Sequence, residues 1–269
     1  MHVHLRTVAG LLAVIALLQW PARAAAQDFA PFPSRSELSL VARPFSDREV
    51  ETLLATLDGL LAREIDPVKW DGSAATAIGG FVRHLQTGRL TASQERQVTR
   101  HLEGIAAARP GVADTVGRSR RLVTAFMPGK PAPEIAGKDL DGVDLRLSEY
   151  RGKVVVLVFT AEWCGICRTL NPYERFMLEL YGNWPFAILS VETGSSPDAA
   201  KKAKALERLS YRSWWDAVPA SGGPGRIASA WNVAGYPSVY VLDAKGVIRF
   251  VDVRYEDLLK AVRQLLMEG

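Results

Sequence analysis

Six apolar residues in a row, Val154-Val155-Val156-Leu157-Val158-Phe159, run almost directly into two cysteines three apart, Trp163-Cys164-Gly165-Ile166-Cys167, and a helical pattern from Arg168 to Tyr181 follows. An apolar run of that length, bounded by polar chain, reads as a strand buried on both faces. A buried strand that feeds a helix belongs to a sheet covered by helices, which sets aside most all-α and all-β architectures. The spacing also lets the two thiols close onto each other in one small ring. Cys164 is expected at the N-terminus of the helix, where unpaired N–H groups and the positive end of the dipole stabilise a thiolate. A free thiol of pKa about 8.5 is only about 3% ionised at pH 7, whereas one lowered to about 7 is half ionised.

These are the only two cysteines among 269 residues, so their compartment matters. The N-terminus reads as a secretory signal over residues 1–26: Arg6, an apolar stretch from Val8 to Leu18, then Pro21 and the small residues Ala24-Ala25-Ala26. That apolar stretch is short for a bilayer span, and the alternative is an uncleaved anchor. The mature chain is therefore expected outside the cytoplasm, in a bacterial periplasm or secreted, after cleavage near Ala26. Disulfides persist there. A pair closed over two residues nevertheless removes little chain entropy, so a structural staple is a poor explanation. Zinc would need two further ligands, and the histidines, His2, His4, His84 and His101, all lie outside the cysteine-bearing half, so no metal is expected. Removing Arg6 and Arg23 with the leader takes the formal charge from +4 to +2. The basic residues are spread out, and Arg118-Ser119-Arg120-Arg121 reads as a solvated helix face, so no nucleic-acid partner is expected.

Residues 27–45 hold three prolines and little periodicity and read as an extended lead-in. From 46 to 126 the pattern is helical. Ser46-Asp47-Arg48-Glu49 matches a capping box ahead of Val50, Leu53, Leu54, Leu57, Leu60 and Leu61. Ala74, Ile78, Phe81, Val82 and Leu85 mark a second helix ended by Gly88. Thr91 and Gln94 cap a third with Val98, Leu102 and Ile105 on one face, and Val112, Val116, Val123 and Phe126 suggest a fourth. The apolar stripes read as the core of a small bundle. Residues 127–134, with three prolines, read as a linker. Beyond it, 135–269 reads as a hairpin turning at Asp141-Gly142, a strand over 153–160, a helix that Pro172 should kink, a strand over 186–191, a helix opening at Ser196-Pro197, a short helix over 227–231, a hairpin over 238–253 and a closing helix over 256–267. Tyr211 to Pro219 stays ambiguous. The order requires an α/β architecture in which a central mixed sheet is flanked by helices.

These residues, from Gly129-Lys130-Pro131-Ala132-Pro133 through Phe159 to Cys167 and on to Gly235-Tyr236-Pro237-Ser238, resemble the thioredoxin fold, and specifically the TlpA/ResA-like thiol-disulfide oxidoreductases exported by bacteria. The resemblance covers about 129–269 and leaves 27–126 outside. It implies a thioredoxin fold preceded by a small helical region, with Pro237 cis and opposite the cysteines. It implies that Cys164, exposed at the helix tip, attacks a partner's disulfide and that the more buried Cys167 resolves the mixed disulfide, with no cofactor besides this pair. Protein thiols and disulfides would be the partners, with a membrane electron donor or acceptor behind them. Trp163, Tyr236 and Pro237 would meet the partner chain; Gly165, Ile166 and Pro172 would shape the site. Three positions depart from the common thioredoxin pattern. Ile166 stands where proline is usual, Tyr236 where a smaller residue is frequent, and Val158 where a buried aspartate deprotonates the second cysteine. Glu162, read as a solvated loop residue, and Glu192 are the nearest candidate proton acceptors.

Two rival enzyme readings are weaker. A peroxidase of this fold carries a threonine three residues before its cysteine, whereas Thr160 is four before Cys164. A copper-delivery module would want a histidine near the pair. A reading of a different class is an extracytoplasmic binding or scaffold protein that uses the thioredoxin unit for docking.

Overall fold

A computed structural model describes residues 43–62 and 70–268. The leader over 1–26 and nearly all of the lead-in over 27–45 lie outside the described residues.

Helix α1 (Asp47–Leu61) starts at the capping box: Ser46 Oγ accepts from Glu49 N at 3.3 Å, and Glu49 accepts from Ser46 N at 2.8 Å. Helix α2 (Trp70–Leu85) leads to α3 (Ala92–Ala108), where Thr91 and Gln94 make the same reciprocal pair. Gln94 Nε2 also reaches Phe45 O (3.0 Å) and Asp47 Oδ1 (2.7 Å), so one buried amide ties the starts of α1 and α3 together. A 3-10 turn, Pro110–Val112, precedes α4 (Ala113–Ala125), which packs against α2 and α3. Leu57, Ile78, Phe81, Val98, Leu102 and Val123 are all buried.

The chain does not leave the helices freely. Gly129 N donates to Ile248 O (2.7 Å), Ile248 N to Lys130 O (2.8 Å), and Ala132 N to Gly246 O (2.9 Å). A small hairpin follows, β1 (Ala136–Lys138) and β2 (Asp144–Arg146). Its turn needs Gly142 at φ +78°, and Asp139 Oδ1 accepts from the backbone N–H groups of Asp141 and Val143.

The main sheet has the order β5-β4-β3-β6-β7, from β3 (Val154–Ala161), β4 (Phe186–Thr193), β5 (Ser213–Trp215), β6 (Ser238–Leu242) and β7 (Ile248–Val251). Strands β3, β4 and β5 run parallel; β6 and β7 are antiparallel to their neighbours. The alternation of β3 feeds two cores. Val155, Leu157 and Phe159 meet Leu189, Val191, Trp214, Trp231 and Tyr240 on one face. Val154, Val156 and Val158 meet helices α5 (Asn171–Tyr181) and α8 (Tyr255–Glu268) on the other, through Met177, Tyr181, Leu258 and Val262. The first core also takes in Phe126 at the end of α4, whose ring lies 5.6 Å from Trp231. The described residues accordingly form one compact unit. Helix α6 (Pro197–Leu206) opens at Ser196, whose Oγ accepts from Ala199 N, and the short α7 (Arg226–Ala230) precedes β6.

The ambiguous stretch resolves as β5, three residues long, too short for alternation to announce it. The expected kink at Pro172 is corrected: the proline stands in the first turn of α5, where its missing N–H leaves no bond unmade. Before it the chain turns with i→i+3 bonds, Cys167 N to Cys164 O (3.1 Å), Thr169 N to Ile166 O (3.2 Å) and Leu170 N to Cys167 O (3.0 Å). The stretch from Cys167 to Tyr181 is therefore divided into a 3-10 entry and an α body, with Pro172 in the first turn of the latter.

Candidate active site

Strand β3 ends at Ala161, and Cys164 N donates back to Ala161 O at 3.0 Å, which folds the cysteine loop over the strand end. Cys164 and Cys167 are disulfide-bonded, with Cα atoms 5.2 Å apart. The expected contrast in exposure is absent. The two residues are 4% and 5% exposed, with Ala161 and Tyr236 packed against the pair. The sulfurs differ in what points at them: Cys167 N donates to Cys164 Sγ at 3.2 Å. A backbone N–H aimed at one sulfur favours negative charge there and leaves the other without that donor.

Around the pair, Trp163 stands out into solvent and meets Tyr236 edge-on at 6.0 Å. The Tyr236–Pro237 peptide bond is cis, and Pro237 O accepts from Arg254 Nη2 at 2.8 Å. Ser238, the next residue, pairs with Phe159, which sets this loop beside the end of β3. Gly165 and Ile166 are exposed at the tip of the loop, and Arg168 Nη1 donates to Glu162 O at 3.2 Å. The structure thus gathers Trp163, Tyr236 and Pro237 at the pair, with Gly165 and Ile166 between the cysteines and Pro172 one turn beyond.

The two carboxylates have different surroundings. Glu162 is not a solvated loop residue: its Oε1 accepts from Ser195 N (2.7 Å) and Ser195 Oγ (2.8 Å). Its Oε2 is buried and has no hydrogen-bond partner among the described residues. Glu192 is buried on β4 opposite Thr160, with Ser190 Oγ 2.8 Å from its Oε1, and burial raises its carboxyl pKa.

The sequence reading missed Glu174. It sits on the inward face of α5 with Leu170, Met177 and Tyr181 and accepts from Tyr211 Oη at 2.8 Å. Burial pushes its pKa up to about 7. Lys204, lowered to about 8 by burial, donates to Ser213 Oγ at 2.6 Å and lies 3.5 Å from the centre of the Tyr211 ring. The signal was present: an acid at the helical spacing of buried apolar residues must be neutral or paired. Among the described residues no three His, Cys, Asp or Glu side chains gather as a metal site, and no helix is long and apolar enough to cross a membrane.

Residues 128–251 match the AhpC/TSA family. The thiol-disulfide oxidoreductase ResA of Geobacillus kaustophilus is 29% identical over 126 residues, 47% of this chain and 69% of that protein. The thioredoxin-like protein YneN of Bacillus subtilis is 30% identical over 125 residues, 46% of this chain and 71% of that protein. The thioredoxin domain of a thiol-disulfide oxidoreductase from Bacteroides vulgatus aligns with a TM-score of 0.47 and 23% identity over 53% of this chain and 99% of that one. Identity at the level of the Bacillus relative, over most of that relative's length, settles the family: the chain belongs to the thioredoxin-like thiol-disulfide oxidoreductases.

Proposed function

We propose that this oxidoreductase works outside the cytoplasm and reduces disulfides in partner proteins through Cys164 and Cys167. The observation that carries the assignment of roles is the Cys167 N–H at 3.2 Å from Cys164 Sγ. In the reduced protein that donor favours a Cys164 thiolate, which attacks one sulfur of the partner's disulfide and releases the other as a thiolate. Cys167 then attacks Cys164 Sγ and frees the partner's second sulfur. Two electrons pass to the partner, the Cys164–Cys167 disulfide re-forms, and the two protons lost by the cysteines balance those gained by the partner's thiols. The proton of Cys167 goes to a carboxylate. The candidates are Glu162, whose Oε2 is free to accept, and Glu192, whose carboxyl is raised by burial. Trp163, Tyr236 and Pro237 form the surface on which the partner's chain rests. No cofactor besides the cysteine pair enters this scheme. A membrane donor would return the pair to the dithiol.

Equilibrating the protein against defined thiol buffers tests the direction. A reduction potential near about −270 mV fits a reductant, and one near about −120 mV would reverse the reading to an oxidant. Mass spectrometry of the protein recovered from its host tests the compartment: a mature N-terminus at Gln27 fits export, and an unprocessed Met1 in a cytoplasmic fraction overturns it.

A further inference from the structure

Among the described residues, five of the nine exposed large apolar side chains fall in one stretch. Trp163, Ile166, Phe176, Leu180 and Trp184 are each between 44% and 63% exposed. The geometry of the segment lines them up. In a 3-10 turn residues three apart eclipse, and in an α-helix residues four apart share a face. The spacing Ile166, Thr169, Pro172, Phe176, Leu180 crosses from the 3-10 entry into α5 as three, three, four and four, so these residues form one outward ridge. Trp184 extends it past the helix end, where its ring meets Tyr181 edge-on at 6.2 Å. Leu170, Glu174, Met177 and Tyr181 occupy the opposite, buried face. From Ile166 to Leu180 the ridge is roughly 20 Å long at the rise of these helices. Its upper end is the loop between the cysteines.

Given the oxidoreductase reading, on which this rests, we propose that the ridge is a docking surface for the disulfide-exchange partner, engaged by an apolar helix that adjoins the partner's reactive cysteine. Three observations select that occupant. Whatever protein reaches Cys164 must also cover Trp163 and Ile166, and beyond Thr169 and Pro172 the exposed apolar side chains Phe176 and Leu180 follow on the same ridge. The sheet edges offer little length for strand addition: residues 129–132 hydrogen-bond to Gly246 and Ile248 at the start of the four-residue β7, and Leu140 N donates to Ser213 O on the three-residue β5. A ridge one residue wide on a helix fits the groove of a second helix. A bilayer would call for a basic rim, but the only basic residue of α5 is Arg175, paired with Glu207 at 3.1 Å.

The test uses the full chain, pre-reduced, and its Phe176→Gln/Leu180→Gln variant. Three probes are compared: bis(2-hydroxyethyl) disulfide, a peptide with an apolar helical face and an adjoining cysteine in mixed disulfide with mercaptoethanol, and the same peptide with its apolar face changed to serine. The wild type is expected to reduce the apolar peptide about tenfold faster than the serine peptide, as a small buried cluster of anchors gives. The variant is expected to lose that preference, keep its rate on the small disulfide and keep its thermal midpoint. Equal rates on the two peptides, with the small disulfide still reduced, overturn the docking surface and leave the thiol exchange standing. Failure of the wild type to reduce the small disulfide overturns both. A preference that the variant retains overturns the ridge. So does co-flotation of the wild type with phosphatidylglycerol vesicles, or a wild-type dimer in sedimentation, when the variant lacks it and no peptide preference exists.

Discussion

The sulfur of Cys164 receives a backbone N–H, that of Cys167 receives none among the described residues, and both are closed from solvent in the disulfide. Reduction converts this small difference into chemistry, because a thiolate accepts a hydrogen bond more strongly than a thiol. Limited alkylation of the reduced protein at pH 7, read by mass spectrometry, is expected to label Cys164 first; faster labelling of Cys167 would reverse the assigned roles. Cys167→Ser is expected to accumulate a mixed disulfide with its partner on non-reducing gels, and Cys164→Ser to form none. A second residue-scale outcome concerns Gly194, at φ +148°, where a Cβ would lie 1.4 Å from Glu162 Oε2. Gly194→Ala should expel Glu162 from its bonds to Ser195 and cost about 1–3 kcal/mol in urea unfolding. The cysteines were legible because their spacing and the strand before them are local patterns. The fixed position of Glu162 was not, since its partner Ser195 lies 33 residues on and only the fold unites them.

Among the elements, α5, α6, β4 and β5 share a buried polar cluster. Glu174, Lys204 and Glu192 are its ionisable members along with Tyr211, and Ser190 and Ser213 link them, 2.7 Å apart. Glu174 titrates near 7 in the fold against an ordinary 4.5. Between those values the folded state keeps a proton that the unfolded chain has lost, so this group makes stability fall as pH rises from 4.5 to 7 and level off above. Lys204, at about 8 against 10.5, acts in the opposite sense and in a higher window: stability recovers as pH rises from 8 to 10.5. Glu174→Gln keeps an acceptor for Tyr211, and its urea midpoint should vary less between pH 5 and 7 than that of the wild type. An unchanged slope would assign the proton elsewhere. The sequence marked the elements with strong terminal signals, such as the reciprocal caps at Ser46 and Thr91 and the serine–proline start of α6. It failed where tertiary pairing decides, as for β5, which exists because Trp214 is buried against the core of the sheet.

On the scale of the whole molecule, the end of α4 and the sheet after it share a core. Phe126 packs against both Trp231 and Tyr240, and Arg121 Nη2 donates to Asn232 Oδ1 at 3.1 Å while Asn232 Nδ2 donates to Arg118 O at 2.9 Å. Unfolding followed by far-ultraviolet circular dichroism and by tryptophan fluorescence should therefore coincide, and Phe126→Ala should lower both midpoints together by about 3–5 kcal/mol of stability. Two separate transitions would mean that the shared core does not couple the helices to the sheet. The binding of residues 129–132 at the start of β7 and of Leu140 beside β5 has a further result for how two copies of this protein meet. An open sheet edge is a template on which a second chain can zip up. Here the chain's own backbone occupies Ile248 at the start of β7 and Ser213 on the three-residue β5, so two copies meeting by chance find only a shortened row of edge groups to continue, and part of the resistance to amyloid-like stacking is built into the path of the chain.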